Sequence, residues 1–225
     1  MPRLHPQELA YQAQQVWSGQ TFVTLLCVDD PSLTDTSSLG DWLENELLPV
    51  NGYQRASFTI SGSGTFDTPN REQDLSPGIA TFSGSGSGFT YRTAITLRGG
   101  NTRSLIGTVA STAVNTSTDR ITITSHGTVS GEAIVFHPIP GDTLPSPIVA
   151  GTRYYAAPFG ANEIAVFSDA GLTVPVNLTT QGTGQFRVRN ADGTIVAVDV
   201  APTNRTIAAG IADSYQLSVS QVGPA

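Results

Sequence analysis

Residues 89–97, FTYRTAITL, alternate between apolar and polar side chains over most of their length. Since successive side chains of a β-strand point to opposite faces, the odd-numbered residues of this segment are expected on one face. Those residues are Phe89, Tyr91, Thr93, Ile95 and Leu97. A period of two is typical of an antiparallel strand with one buried face, so the sequence predicts a chain built mainly on β-sheets.

Short segments of the same kind follow one another through the chain after residue 51, separated by turns rich in glycine and serine. Before residue 103 we predict strands at 53–60, 78–84 and 89–99, and we interpret the tract Ser83–Gly88 as a long hairpin tip. Between about Arg103 and Arg189 the predicted strands are shorter and evenly spaced, which favours a small β-sandwich or barrel. They are residues 120–127, 132–138, 151–158, 163–169 and 185–190. Two or three further strands are expected within 193–221.

Two details of this middle region are predicted from single residues. Leu144–Pro147 contains two prolines and cannot form a central strand, because proline lacks a backbone donor. Tyr154 and Tyr155 are consecutive on a predicted strand and must face opposite sides. One of them is expected in the core, and the other on the surface or at a contact between modules.

The helical signals lie within the first fifty residues. Pro6 suits the first turn of a helix that Gly19 ends. Its apolar stripe consists of Leu9, Ala13, Val16 and Trp17. Residues 20–28 then predict a buried strand.

A second short helix is predicted after the polar loop that follows this strand. Ser38 can cap it, Asp41 favours its positive end and Pro49 stops it. Its apolar face consists of Leu39, Trp42, Leu43 and Leu47.

Composition excludes some classes of protein. Charged residues make up only 13%, all eleven basic residues are arginines spread along the chain, and the net charge is -7. Phosphate binding needs clustered Lys and Arg, so we expect no nucleic-acid partner.

No apolar stretch reaches signal-peptide or transmembrane length, so we expect synthesis in a cytoplasm and no membrane insertion. Cys27 is the only cysteine, so no intramolecular disulfide can form, and its apolar surroundings favour a buried, inert thiol.

No set of residues predicts catalysis, a cofactor or a metal site, and we expect a non-enzymatic protein. Of the three histidines, His126 and His137 fall on predicted neighbouring strands, where they could pair as metal ligands, but turn or surface positions are favoured over that. The Gly-Ser-Gly repeats are followed by no Gly-Lys-Ser/Thr, and the GSGSG string precedes a strand instead of opening a helix.

The acidic residues predict no site either. Asp29, Asp30 and Asp35 share a loop without the ligand spacing of a calcium loop, so a solvated loop is favoured. Glu44 and Glu46 are predicted on the second helix and, two residues apart, face different ways. The apolar helix faces that carry Trp17 and Trp42 favour core packing over stacking on a sugar.

Two parts of the chain resemble modules of bacteriophage tail proteins. The first comprises 44–60 and 80–100, with an Asn-Gly-Tyr-x-Arg turn, and continues in 193–220; it resembles tail-fibre-associated proteins of cyanobacterial phages. The second, 141–186, with Leu-Pro-x-Pro and Gly-Thr-x-Tyr-Tyr, is similar to a small β-module recurrent in phage tail and neck proteins.

The second module lies between two parts of the first. The resemblance therefore implies a β-sandwich or jelly-roll-like host domain, 1–103 and 190–225, with two short N-terminal helices. A small β-sandwich or barrel domain, 104–189, would be inserted at a hairpin tip of the host, where insertion disturbs a fold least.

The function implied is that of a virion structural protein of a phage tail, in a fibre, baseplate or other appendage. We expect it to mediate assembly and attachment to a host surface, without catalysis. Its expected partners are other virion proteins, further copies of itself with a trimer favoured, and a host-surface glycan. The alternatives are a capsid decoration (cement) or neck protein, and, with least support, a small glycan-processing enzyme.

Overall fold

The computed structural model describes residues 19–34, 36–60, 65–67, 72–74, 78–217 and 220–222, the backbone alone being described at 65–67, 72–74, 216–217 and 220–222. Within this part the chain is mainly β, with antiparallel strand pairing and a single α-helix, α1, Leu39–Glu44. The first half contains strands β1 Thr21–Cys27, β2 Ala56–Thr59, β3 Thr65–Asp67, β4 Glu72–Asp74, β5 Gly78–Ser83, β6 Phe89–Arg98, β7 Leu105–Ala110 and β8 Val114–Asn115. The second half contains β9 Arg120–Thr122, β10 Glu132–Pro138, β11 Tyr154–Phe159, β12 Glu163–Phe167, β13 Gln185–Asn190, β14 Thr194–Ile207, β15 Ala212–Leu217 and β16 Ser220–Val222.

These strands form four sheets. The largest has the order β7-β13-β10-β11-β12-β9-β8, and the second has the order β14-β6-β1-β2. Strands β15 and β5 form a two-stranded sheet, and β16, β4 and β3 a three-stranded one. The mainly β, antiparallel class is therefore confirmed, whereas a jelly-roll order does not follow from these pairings.

The seven-stranded sheet is built from a continuous segment of the chain, 105–190. Its two outer strands, β7 and β8, are joined by the three-residue 3-10 turn Ser111–Ala113, so the sheet must curl until its ends lie close together. The concave side encloses a cluster of sixteen buried residues that includes Phe136, Ile164 and Phe186. This segment carries all five of the short strands predicted for the middle of the chain.

The predicted inserted segment leaves and rejoins the four-stranded sheet at one point. Arg98, the last residue of β6, lies opposite Thr194, the first residue of β14. Residues 99–193 are thus an excursion between two paired antiparallel strands, the position that insertion at a hairpin tip requires. The boundaries 1–103, 104–189 and 190–225 remain a prediction.

The four-stranded sheet is covered on both faces. On one face, side chains of β1, β2 and β6 pack with Ala80 and Phe82 of β5. On the other, Leu25 and Ile95 pack with Trp42 of α1 and Val135 of β10. The core on this second face is thus shared between the four-stranded and the seven-stranded sheet.

This two-sided burial corrects the prediction for residues 89–97. Thr93–Leu97 are buried without alternation. Phe89 and Tyr91 pack with β5, whereas Ile95 and Leu97 pack with α1 and β10. The prediction of one half-buried face shared by all the odd-numbered residues was wrong for two reasons. The sheet is covered on both sides, so both sets of side chains are buried. The pairing with β14 is also irregular between Tyr91 and Thr93, which lie opposite Arg205 and Val200, and the odd-numbered residues change faces there.

The tract Ser83–Gly88 was also misinterpreted. It joins β5 to β6, and these strands belong to different sheets, so the tract is a connection between layers and not a hairpin tip. Its backbone is held to the Asn51-Gly52 turn, where Ser85 N donates to Asn51 O at 2.7 Å.

The second predicted helix is confirmed, with an earlier end. Ser38 Oγ accepts from Asp41 N at 3.2 Å and the Asp41 carboxylate accepts from Ser38 N at 3.0 Å, a reciprocal cap. The helix ends at Glu44, five residues before Pro49. The first predicted helix lies outside the described residues.

Two predictions for the middle region are confirmed. Leu144–Pro147 belongs to no strand. Tyr154 packs inside the seven-stranded sheet, while Tyr155 packs against the core shared with the four-stranded sheet. In the described part of the chain no helix has the length and apolar character needed to cross a membrane.

Candidate functional site at the junction of the two larger sheets

A buried ion-pair network lies between the two larger sheets, and Glu46 is at its centre. The residue follows α1 and is 3% exposed. Arg55 binds it with two hydrogen bonds, from Nε to Oε1 at 2.7 Å and from Nη2 to Oε2 at 2.8 Å. Tyr53 Oη donates to Oε1 at 3.0 Å. A bidentate arginine–carboxylate pair of this kind fixes both side chains in one geometry.

Arg189 of β13 connects this carboxylate to the seven-stranded sheet. Its Nη1 donates to Glu46 Oε2 at 3.2 Å and its Nη2 to the Glu46 carbonyl at 2.8 Å. Arg55 reaches in the same direction, since its Nη2 donates to the carbonyl of Asn190 at 3.0 Å. The segment between α1 and β2 and strand β13 therefore supply groups to one set of hydrogen bonds.

The network continues along β10 and β13. Asn190 Nδ2 donates to Glu132 Oε1 at 2.7 Å and to Asp192 Oδ2 at 2.8 Å. Arg103 pairs with Glu132 and also donates to the carbonyl of His126. The network contains three guanidinium groups, of Arg55, Arg103 and Arg189, and three carboxylates, of Glu46, Glu132 and Asp192; Asp192 is joined to it through Asn190.

Burial shifts the pKa values at this centre. It raises the pKa of Tyr53, and the neighbouring Glu46 carboxylate raises it further. It lowers the pKa of Arg189, against the attraction of Glu46. At Arg189 the cost of removing the charge from water therefore exceeds the attraction of Glu46.

The network connects the segment 46–55 to β13 of the seven-stranded sheet. Arg55 and Arg189 are both paired with Glu46, and the three residues are each at most 3% exposed, so their charged groups have no open surface for a ligand. Charges paired and buried in this way are suited to specifying one packing arrangement.

The two histidines considered as metal ligands are not on neighbouring strands. His137 is on β10 and His126 follows β9, and β11 and β12 separate these strands in the sheet. His137 Nε2 lies 3.0 Å from the carbonyl of Gly40 in α1. His126 Nδ1 accepts from Thr128 N at 2.9 Å. The predicted adjacency was wrong because β10 pairs with β11 and β13, and in the described part of the chain no three His, Cys, Asp or Glu residues group as metal ligands.

Two residues of the acidic loop, Asp29 and Asp30, make side-chain contacts. Asp30 accepts from Ser32 and from Asn45 Nδ2, and the hydrogen bonds from Ser32 lower its pKa. Asp29 pairs with Arg92 at 2.6 Å. Asp35 lies outside the described residues. Glu46 is not on a helix as predicted, because α1 ends before it.

Cys27 and Trp42 are buried, as predicted. Cys27 is 0% exposed and its Sγ donates to the Trp42 carbonyl at 3.4 Å. Burial raises the pKa of this thiol, and Glu46 raises it further. Trp17 lies outside the described residues.

A cavity of about 390 Å³ opens between the end of α1 and strands β10 and β13. Its polar wall consists of Glu44 and Asn45 after α1, His137 on β10, Asp142 in the following loop and Arg187 on β13, and its apolar wall of Pro138, Ile139 and Pro140. His137 and Arg187 lie directly opposite each other in the sheet. Burial lowers the pKa of His137 to about 4, so its ring is neutral at pH 7.

Sequence reasoning missed the network and the cavity. The available signal was weak: Glu46, Arg55 and Arg189 are charges next to apolar residues within 44–50, 53–60 and 185–190. Such charges are seldom fully buried unless they are paired, and nothing in the sequence shows that residues 143 positions apart will meet.

No protein-family model, no curated protein and no solved structure matches this chain.

Proposed function

We propose that this protein is a structural component of a bacteriophage tail, in a fibre, baseplate or other appendage. It assembles with further copies of itself and with other virion proteins, and it carries out no catalysis. The segments 44–60, 80–100 and 141–186, which resemble phage tail modules, support this proposal. A mainly β fold is the architecture that the resemblance implies.

The observation that carries the assembly role is strand β14. It is 14 residues long and forms one end of the four-stranded sheet, so among the described strands only β6 pairs with it. Most of its side chains are exposed, and Val200 is 54% exposed. A long open edge is a template for another strand, and proteins usually protect or occupy such edges.

The form of this edge indicates which part of it would pair. Pro202 interrupts β14 because it has no backbone donor, and the register with β6 shifts between Val200 and Arg205. Residues 194–200 precede this interruption. A strand of another copy is therefore best accommodated along 194–200, in a homo-oligomer for which we favour three subunits.

The proposal also includes the division of the chain into a host domain and an inserted module. Residues 1–103 and 190–225 form a host sandwich, in which the four-stranded sheet packs on β5 and β15. Residues 104–189 form an inserted, barrel-like module, supported by the short connection between the two ends of its sheet. The shared core and the Glu46 network dock this module rigidly on the host, as a projecting part of an appendage requires.

The first experiment measures the oligomeric state by light scattering coupled to size exclusion. We expect the wild-type protein to be oligomeric and Val200→Lys to shift it toward monomer, because a charge on an edge strand opposes pairing. Val174→Lys is the matched control, since Val174 is 53% exposed but lies outside β14. A monomeric wild-type protein, or equal effects of the two variants, contradicts the assembly role.

The second experiment tests the location in the virion. Antibodies against the chain, applied to intact particles of the phage that encodes it, are expected to label the tail. Label over the whole capsid, at hundreds of copies per particle, would instead favour a decoration protein, and the absence of label would reject both. Release of reducing ends from host polysaccharide would contradict the absence of catalysis.

A further inference from the structure

We propose that the cavity between α1 and the end of β10 binds a neutral, polyhydroxylated ligand, a saccharide unit, through Arg187, Glu44 and Asp142. The inference adds a ligand to the proposed appendage role and depends on that role only for the biological source of the saccharide, a host surface. The cavity holds about 390 Å³, within the range of about 300–1,000 Å³ that small-molecule sites occupy.

The first argument is that charged groups on the cavity wall have no protein partner. In the described part of the chain, the Arg187 guanidinium makes no hydrogen bond or ion pair, and neither does the Glu44 carboxylate. Arg187 is partly buried, whereas Glu44 is exposed. A partly buried guanidinium without a carboxylate is costly, and a ligand that accepts its hydrogen bonds relieves that cost.

Asp142 adds an acceptor that is already oriented. Its Oδ2 accepts from Gln185 N at 2.8 Å, which fixes the carboxylate at the cavity wall. Asn45 is fixed in a similar way, because its Nδ2 donates to Asp30 Oδ2 at 2.9 Å. Groups held before the ligand arrives lose little conformational entropy on binding.

The mixture of donors and acceptors selects the class of ligand. Arg187 can only donate, whereas Glu44 and Asp142 can only accept. A hydroxyl group does both, so vicinal hydroxyls can bridge such groups. One guanidinium against two carboxylates leaves the wall with a net negative charge, which disfavours an anionic ligand. A metal ion is not favoured either, because these residues do not form a ligand group of three.

The cavity also has an apolar side. Pro138, Ile139 and Pro140 line it in one continuous stretch at the end of β10. Saccharide rings present C–H groups on their faces, and these pack on apolar side chains, while the hydroxyls at the ring edge face the charged wall. Glu44 and Asn45 come from the end of α1 and the other lining residues from the seven-stranded sheet and the loop after β10, so the docking of α1 on this sheet shapes the site.

The experiment is saturation-transfer NMR with titration calorimetry, using the full chain and the methyl glycosides of glucose, galactose and mannose. Binding of at least one glycoside is expected at about 10 mM, since a single saccharide site is expected near a Kd of about 1 mM. Arg187→Gln and Glu44→Gln should each weaken binding about tenfold or more, because each removes a charged hydrogen-bond partner.

Matched controls are Arg153→Gln and Glu163→Gln. Arg153 donates to the Gly193 carbonyl and Glu163 pairs with Arg120, and neither residue lines the cavity. These variants should bind as the wild-type protein does, and all four should keep its Tm. Three results would each overturn the proposal. The first is that no glycoside binds, and the second is that the cavity and control variants lose binding equally. The third is that glucuronate, which is anionic, binds more tightly than the neutral glycosides. Antibody labelling of the virion is independent of these results, so failure of this site is distinguishable from failure of the virion role.

Discussion

Arg189 and Glu46 are 143 residues apart in the chain and meet in its interior, where Arg189 Nη2 donates to the Glu46 carbonyl at 2.8 Å and Nη1 to its carboxylate at 3.2 Å. Arg189 is the penultimate residue of β13 in the seven-stranded sheet, and Glu46 lies in the segment that leads from α1 to β2 of the four-stranded sheet. The contact joins two parts of the molecule that each have a separate apolar core. Its loss should therefore affect how these parts dock.

Replacement of Glu46 by Gln is expected to lower the free energy of unfolding by about 3–5 kcal/mol, because it leaves two buried guanidiniums without a counter-charge. Urea denaturation, followed by tryptophan fluorescence, measures the change. Glu163→Gln is the control: its pair with Arg120 is 39% and 33% exposed, so the change should stay below about 1 kcal/mol. Similar small effects of both substitutions would show that the buried network does not stabilise the fold.

His137 predicts a dependence of stability on pH. Burial lowers its pKa to about 4, against the opposing hydrogen bond to the Gly40 carbonyl, whereas in the unfolded chain the pKa is about 6.5. Between these values the unfolded state binds more protons, so stability should rise with pH from about 4 to 6.5 and then level off.

His137→Gln removes this titration and isolates its contribution. Between pH 4.5 and 7.5 the wild-type protein should gain about 2 kcal/mol more stability than the variant. Unfolding in urea at several pH values gives the two curves. Parallel curves for the two proteins across this window would contradict the assignment to His137.

Cys27 should be unreactive in the folded protein. Its thiol is 0% exposed and burial raises its pKa, so little thiolate forms. Labelling by a thiol reagent at pH 8 should be slower than in urea by a factor of about 10³ or more, as for a group that reacts only after unfolding. Labelling of the native protein at the rate of a free thiol would show that the core around Cys27 opens readily.

Gly40 tests the packing of α1 against the seven-stranded module. A Cβ at this position would lie 1.8 Å from the carbonyl oxygen of Gly151, a backbone atom. In an isolated helix Gly→Ala is favourable by about 1 kcal/mol, but here it should destabilise by about 1–3 kcal/mol or more.

The control for Gly40→Ala is Gly171→Ala, in an exposed loop. There the nearest atom to an added Cβ would be a side-chain oxygen of Asp169 at 3.2 Å, which would need to move by only a few tenths of an ångström. Thermal unfolding should show a lower Tm for Gly40→Ala and little change for Gly171→Ala. A Tm for Gly40→Ala at or above that of the wild-type protein would mean that α1 does not pack closely on residue 151.

The sequence was sufficient where local patterns decide the structure. The strands from 120 to 190 were predicted close to their observed places because turn residues separate short apolar segments. The cap at Ser38 and the opposite environments of Tyr154 and Tyr155 were also predictable, since a side chain's direction follows from backbone geometry alone. The prediction of a phage tail protein came from the sequence too, and it remains a proposal.

The tertiary structure alone decided which strands became neighbours and which charges met. The separation of His126 from His137, the second buried face of residues 93–97 and the pairing of Glu46 with Arg55 and Arg189 depend on contacts between distant segments. Alternation along a strand specifies two faces but does not specify what covers each face. What covers each face depends on how the whole chain packs. The same packing determines whether a charged side chain is buried in a network, as Arg189 is, or lies on the wall of a cavity, as Arg187 does.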